Sequence, residues 1–246
     1  MATAIDLKGK TALVTGGTMG IGAAIAKVLH ESGADLILTG VENENFINEL
    51  NEKIRAKGID NIRYIHVDFT NKVSIDQFFN FLDSQKKIDI LVNNAGTNRN
   101  NPIDEINEND YDLLLDVNLK APFLITRYIS KRMKEANYGR IVNIASIWSI
   151  KSRPGRTAYT ITKSGIVGLT KTSSIELAPF NTLVNAVSPG FTMTELTMKT
   201  LPEKEFNELK SIVPAQRFAQ PEEIAKLVLF LVSDLNTYTT GQNIAI

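Results

Sequence analysis

The chain of 246 residues contains no cysteine, two histidines and one tryptophan. Without cysteine there is no disulfide and no thiolate metal site, a pattern that fits a reducing, cytoplasmic setting. His30 and His66 stand apart from any His/Asp/Glu cluster of metal-ligand spacing, so both read as structural and no metal site is expected. Excess charge is missing too. Lys+Arg and Asp+Glu each total 27, the formal net charge is zero, and no run of five like charges occurs. This argues against a nucleic-acid partner and an acidic tail. No run of about 18 apolar residues could form a membrane-spanning helix, and MATAIDLKGK lacks the apolar stretch of a secretory signal. Internal repeats, low-complexity segments and Pro/Gly/Ser linkers are also absent, so residues 1–246 are expected to form one domain.

What remains is an ordinary globular composition, 43% hydrophobic and 22% charged. Short apolar runs alternate with longer amphipathic ones. TALVT from Thr11, LILT from Leu36, IRYIHV from Ile62, IDILV from Ile88, RIVNIA from Arg140, LVNAV from Leu183 and the final QNIAI read as buried strands. GIGAAIAKVLHESG and VSIDQFFNFLDSQ carry the 3.6-residue period of helices, and Gly33 suits a left-handed cap. Parallel neighbours need a crossover, so strand–helix alternation predicts a parallel sheet. The expected class is α/β: a Rossmann-type, doubly wound, seven-stranded parallel sheet with helices on both faces. Residues 194–220 interrupt the alternation after strand six and are expected to form a helical insert covering the substrate.

Two features carry chemistry. In TGGTMGIG, Gly16, Gly20 and Gly22 fall between strand one and the first helix, where glycine lets the backbone approach a pyrophosphate and the helix N-terminus offers free N–H groups. Strand two ends at LTGVEN, with Gly40 where an acid often holds a ribose 2′-hydroxyl. That vacancy leaves room for a 2′-phosphate and leans the cofactor toward NADP(H). Val41 and Met19 supply no positive charge for it, and Glu42 would repel it if it pointed inward. Further along, Tyr159 and Lys163 in AYTITKSG are an i, i+4 pair sharing a helix face. A nearby ammonium is expected to lower the phenol's pKa toward useful acid–base range. Ser146, at the end of strand five, could donate a hydrogen bond to the same substrate oxygen.

Together these motifs resemble the short-chain dehydrogenase/reductase family over nearly the whole chain. TGGTMGIG is similar to the family's TGxxxGxG turn. Asp68 matches the residue that binds the adenine ring, with helix capping as the alternative. NNAG at Asn93–Gly96 matches the motif that steadies the sheet and lines the cofactor. Asn118 matches the fourth catalytic member, which holds a water linking the lysine to solvent; the alternative is a helix-kink residue. Ser146, Tyr159 and Lys163 match the catalytic triad. Pro189 and Gly190 match the turn after strand six, and Thr194 the threonine that touches the nicotinamide amide. The resemblance implies NAD(P) as cofactor, held by Gly16, Thr18, Met19, Gly20, Ile21, Gly22, Gly40, Asp68, Asn94, Ala95, Gly96, Tyr159, Lys163, Pro189, Gly190 and Thr194. It also implies oxidation and reduction between a ketone and a secondary alcohol.

The chain departs from the family by stopping at GQNIAI, without the usual DGG and short tail, which bears on assembly. The family mode would pair the helices at Ala121–Ala136 and Thr157–Pro179 across a two-fold axis of a homodimer or homotetramer. For the substrate, Asn137 and Phe180 stand where reductases of 3-oxoacyl groups on acyl carrier protein often place arginines. Arg99 after NNAG, with Trp148, Arg153 and Arg156, resembles sugar and sugar-acid dehydrogenases, since arginine forks suit carboxylates and hydroxyls. Arg99 could instead be a solvated loop charge. The expected partner is therefore a small carbonyl or alcohol, a sugar, sugar acid or polyol, with 3-oxoacyl-[acyl-carrier-protein] reduction as the alternative. A non-catalytic dinucleotide sensor on the same fold is the competing class. Retention of Asn118, Ser146, Tyr159 and Lys163 argues against it.

Overall fold

The computed structural model describes residues 5–195, 197 and 203–246. Seven strands form one sheet: β1 (Thr11–Val14), β2 (Asp35–Gly40), β3 (Ile62–His66), β4 (Ile90–Asn93), β5 (Gly139–Ile144), β6 (Thr182–Ser188) and β7 (Asn243–Ala245). Their order is β3-β2-β1-β4-β5-β6-β7, and every neighbouring pair is parallel. Each of the seven apolar runs is therefore a strand. β4 starts at Ile90 rather than Ile88, because the Asp89 carboxylate takes the Thr11 N–H at 2.8 Å in place of a ladder partner.

Alternate strand residues enter two cores, as the pleat requires. Ala12, Val14, Leu36, Leu38, Ile90 and Val92 pack with Ile25 and Leu29 of α1 (Gly20–Glu31) on one face. Leu13, Ile37 and Leu91 pack with Phe78 and Leu82 of α3 (Lys72–Asp83) on the other. Between these helices in the chain, α2 (Glu44–Ala56) joins β2 to β3. The first face is completed by α8 (Pro221–Val232), whose Ile224, Val228 and Leu231 join the same core. The second is completed by α5 (Ala121–Ala136) through Ile125, Ile129 and Met133, and by α6 (Thr157–Leu177) through Leu177. Both strand faces are buried, which explains why the strands read as continuous apolar runs.

Helix ends follow local chemistry. Gly33 has φ +95°, and its N–H bonds the His30 carbonyl at 2.8 Å, closing α1 as expected. The sixth helix stops at Leu177, two residues short of expectation. Ala178–Phe180 tighten into a 3₁₀ turn around Pro179, and Asn181 turns back at φ +51°. Between α4 (Glu108–Leu115) and α5, residues Asp116–Lys120 form a π turn. After β6, α7 (Glu203–Ser211) lies in the expected insert. The ends of that insert are tied by a parallel bridge, Thr192 to Ala219. In the chain β2 follows β1, yet β1 pairs with both β2 and β4, so the sheet's switch point opens between β1 and β4 at the strands' carboxyl ends.

Candidate active site

At that switch point the glycines of the first turn have distinct roles. Gly16 lies at φ +63°, and a side chain there would meet the Ala95 Cα at 2.9 Å. Gly20 lies at φ +55°, facing the Thr194 methyl. A methyl on Gly22 would fall 2.0 Å from the Gly16 carbonyl oxygen and 2.4 Å from the Asn94 amide nitrogen. Only glycine lets α1 start this close to the loop. Exposed Met19 precedes α1 in extended conformation, no side chain caps the helix, and its first turn holds no acid. The N–H groups of Gly20, Ile21 and Gly22 thus open a first turn suited to an anion, while the Ile21 side chain packs on the core. The turn fits a pyrophosphate.

The neighbouring loop is stitched to this turn. The Thr15 hydroxyl accepts from the N–H groups of Asn94 (3.0 Å) and Ala95 (2.9 Å), and the Asn94 amide donates to the carbonyls of Thr15 and Gly16, both at 2.9 Å. Asn93 donates to Asn143 on β5 at 2.8 Å and to Thr126 at 3.1 Å. NNAG therefore steadies the sheet as expected. Thr15, the first residue of TGGTMGIG, is its anchor; the signal available was a hydroxyl immediately after β1. Asp68 does not cap α3. The cap is Asn71, which accepts from Val73 and Ser74, and the Asp68 carboxylate instead accepts from the Thr70 N–H and hydroxyl.

The candidate reacting groups meet on α6 and the loop after β5. β5 ends at Ile144, so Ser146 lies two residues past the strand, buried, capping the 3₁₀ turn Ile147–Ser149. Lys163 is buried and donates to the Ile144 carbonyl at 2.8 Å, with its amine 5.7 Å from the centre of the Tyr159 ring. Among the described residues no carboxylate pairs with it. Burial pulls its pKa down to about 8. A side chain on Gly96 would sit 3.4 Å from the Asn118 amide oxygen and 3.6 Å from the Lys163 amine, so these three converge.

One expectation is reversed. The Tyr159 pKa is raised, not lowered: burial of the phenol outweighs its hydrogen bond with Ser146 and the nearby charge of Arg156. The helix runs on through Asn118 but widens there into its π turn, and the Asn118 amide does not bond groups of its own helix. It accepts from the Thr97 N–H at 2.8 Å, donates to the Thr97 carbonyl at 2.9 Å, and reaches the Thr162 hydroxyl at 3.3 Å.

Beyond the phenol, Arg153 and Arg156 each stand 5.6 Å from the Trp148 ring. Trp148 meets Phe191 edge-on, Phe191 stacks on Phe218, and Phe218 touches Phe206 of α7. Arg153 also pairs with Glu205 of α7 at 3.5 Å. Arg99 is not part of this group: its guanidinium is bound by Asp110 at 3.0 Å and by the Asn98 carbonyl, so it is a paired surface charge. Directly after β6, Pro189 accepts from the Ile147 N–H and Gly190 donates to Ile246. The Thr194 hydroxyl is shared with Thr197. Gly40 has its missing side chain's place taken by Glu42, which points inward.

A glycine-cradled anion turn beside a serine, a tyrosine and a lysine at this spacing defines a class of protein. A profile of the family described as "Enoyl-(Acyl carrier protein) reductase" matches residues 16–246. The chain is 38% identical to a 3-oxoacyl-[acyl-carrier-protein] reductase of Rickettsia felis, over 98% of this chain and 96% of that one. It is 40% identical to the reductase of that name from Aquifex aeolicus, over 97% and 96%. Among solved structures it superposes on a candidate gluconate dehydrogenase of Agrobacterium tumefaciens with TM-score 0.91 and 33% identity, covering 99% and 96% of the two chains. The protein belongs to the short-chain dehydrogenase/reductase family, and it is an oxidoreductase of the kind that acts on CH–OH and C=O groups.

Proposed function

We propose that the protein uses NAD(P) to interconvert a ketone and a secondary alcohol on a small hydroxylated substrate, a sugar, sugar acid or polyol. The observation that carries this is the convergence of Ser146, Tyr159 and Lys163 beside an uncapped, glycine-cradled helix start. Gly16, Thr18, Met19, Gly20, Ile21 and Gly22 would hold the pyrophosphate. Gly40 and Asp68 would lie toward the adenosine. Asn94, Ala95, Gly96, Pro189, Gly190 and Thr194 would hold the nicotinamide end together with Tyr159 and Lys163. Bound there in its reduced form, the dinucleotide would supply a hydride for the carbonyl carbon. Tyr159 gives its proton to the carbonyl oxygen, and its raised pKa keeps that proton available at neutral pH. Ser146 donates a hydrogen bond to the same oxygen and fixes its position. Lys163 holds positive charge close to the phenol, and Asn118 keeps the loop at Thr97 in place and a water within reach of the amine.

Arg156 and Trp148 favour the substrate side. A half-buried guanidinium next to the catalytic phenol suits a carboxylate or vicinal hydroxyls, and α7 with its aromatic chain would cover them. Arg99, spent on Asp110, is left out of this set. A second reading, reduction of 3-oxoacyl groups on acyl carrier protein, is favoured by the names of the relatives at 38–40% identity. Asn137 and Phe180, with Lys134 the cation 5.1 Å from the Phe180 ring, give that reading less surface charge. The test is cofactor oxidation measured against keto sugar acids and 3-oxoacyl thioesters in parallel. Keto sugar acids are expected to give the higher kcat/KM. Faster thioester turnover would support the second reading, and no turnover of any ketone with tight cofactor binding would support a sensor.

The outer surface of α5 and α6 supports a homo-oligomer. There a cavity of about 840 Å³ is lined by Leu119, Phe123, Gly165, Gly168 and Leu169 together with Asp112, Asp116 and Lys120, and Phe123 is 46% exposed. This hollow is not the reaction site; its apolar floor of leucine, phenylalanine and glycine suits a second copy packing helix to helix.

A further inference from the structure

The end of β2 holds an arrangement that the reaction chemistry does not use. Gly40 is the last residue of the strand, and a methyl on it would fall 2.3 Å from Glu42 Oε2 and 2.6 Å from the Thr18 methyl. The room beside the strand end is therefore filled by the Glu42 carboxylate, folded back from two residues further along. Its Oε1 accepts from the Thr18 hydroxyl at 2.7 Å, which joins this loop to the anion turn. Its Oε2 is shielded from solvent and has no hydrogen-bond partner. The Glu42 carbonyl is in turn held by the His66 ring at 2.7 Å, so the loop is pinned from β3 as well. Among the described residues no lysine or arginine pairs with Glu42, and the exposed residues flanking it, Val41 and Asn43, carry no positive charge.

A buried carboxylate oxygen without a donor is costly until something donates to it. A ribose hydroxyl is such a donor; a phosphate is not, and its charge would meet an uncompensated negative charge of the same sign at short range. We infer that Glu42 selects the unphosphorylated dinucleotide, NAD(H), and rejects NADP(H), with Gly40 present to make room for it. The vacancy at Gly40, read in the sequence as space for a 2′-phosphate, is space for this side chain instead. The inference rests on the dinucleotide reading of the glycine turn.

The test is calorimetric titration of the whole protein with NADH, NADPH, ADP-ribose and 2′-phospho-ADP-ribose; the last two lack nicotinamide, so binding is read without turnover. Wild type is expected to bind the unphosphorylated member of each pair at least about tenfold more tightly, given two like charges in a poorly solvated pocket. Glu42→Gln keeps the volume and the Thr18 bond, and is expected to shrink the ratio to under about threefold by tightening the phosphorylated ligands. Glu42→Ala should move it the same way. Glu44→Gln, an exposed neighbour of the same charge, should leave it unchanged. Equal or tighter NADPH binding by wild type, or a ratio that survives both Glu42 substitutions, overturns the role of Glu42 while leaving the dinucleotide site intact. Failure of all four ligands to bind a folded protein removes the site itself, and Glu42's role with it.

Discussion

Tyr159 and Lys163 are tuned by the same force in opposite directions. Burial penalises whichever form is charged, so the phenol's pKa rises and the amine's falls to about 8. The free protein therefore holds a protonated phenol at neutral pH. Because the pKa is raised, the acid form persists to higher pH, and the phenolate that the proposed alcohol oxidation would use appears only in alkali. The wild-type minus Tyr159→Phe difference spectrum is expected to show phenolate only above the ordinary phenol value of about 10. Phenolate absorbance near neutrality would mean that Lys163 dominates after all. The residue types and their spacing were legible in AYTITKSG, because four residues along a helix is a fixed geometry. The sign of the shift was not, since it depends on how much of the sheet and of the Trp148 loop covers the phenol. Glu42 and Arg99 were illegible for a related reason. Which way the first points is decided by Thr18 and His66, and what binds the second is Asp110, eleven residues away.

Among the elements, α7 and its flanks show how the insert is attached. Phe218 is 2% exposed and links Phe191, beside Trp148, to Phe206 on the helix. Phe218→Ala should cost about 3–5 kcal/mol, as for other large buried aromatics, read from the denaturant midpoint at unchanged slope. A loss below about 1 kcal/mol, within the range of surface changes, would mean the chain of rings is not packed as described. All seven strands could be read from apolar runs, and α1 could be closed at Gly33, because these signals are local. The π turn at Asp116–Lys120 could not. It inserts extra backbone where Asn118 is bound across to Thr97 and Thr162, contacts that exist only once the fold has formed. The shift of β4 by two residues has the same character, since Asp89 acts on Thr11, 78 residues earlier.

At the scale of the molecule, strand alternation implied a parallel sheet, while the order β3-β2-β1-β4-β5-β6-β7 decides where the cleft lies. The break between β1 and β4 brings residues some 80 apart, Thr15 and Ala95, into hydrogen bonding, and the reacting side chains rise from the same edge on β5's loop and α6. Gly165, Gly168 and Leu169 of α6 line the Phe123 cavity, so the proposed subunit contact lies directly beside Lys163 along the same helix. Phe123→Glu should shift the protein to a smaller species in sedimentation velocity without unfolding it. An unchanged sedimentation coefficient would move the subunit contact elsewhere. The proposed reaction depends on the phenol being the proton donor, and Tyr159→Phe removes one oxygen and nothing else. Turnover and cofactor affinity should be measured on that variant in the same preparation. Turnover is expected to fall by about a hundredfold or more, the usual range for losing a general acid, while the cofactor still binds with at most about a tenfold loss, the scale of one lost hydrogen bond among many contacts. Turnover close to wild type would contradict the account.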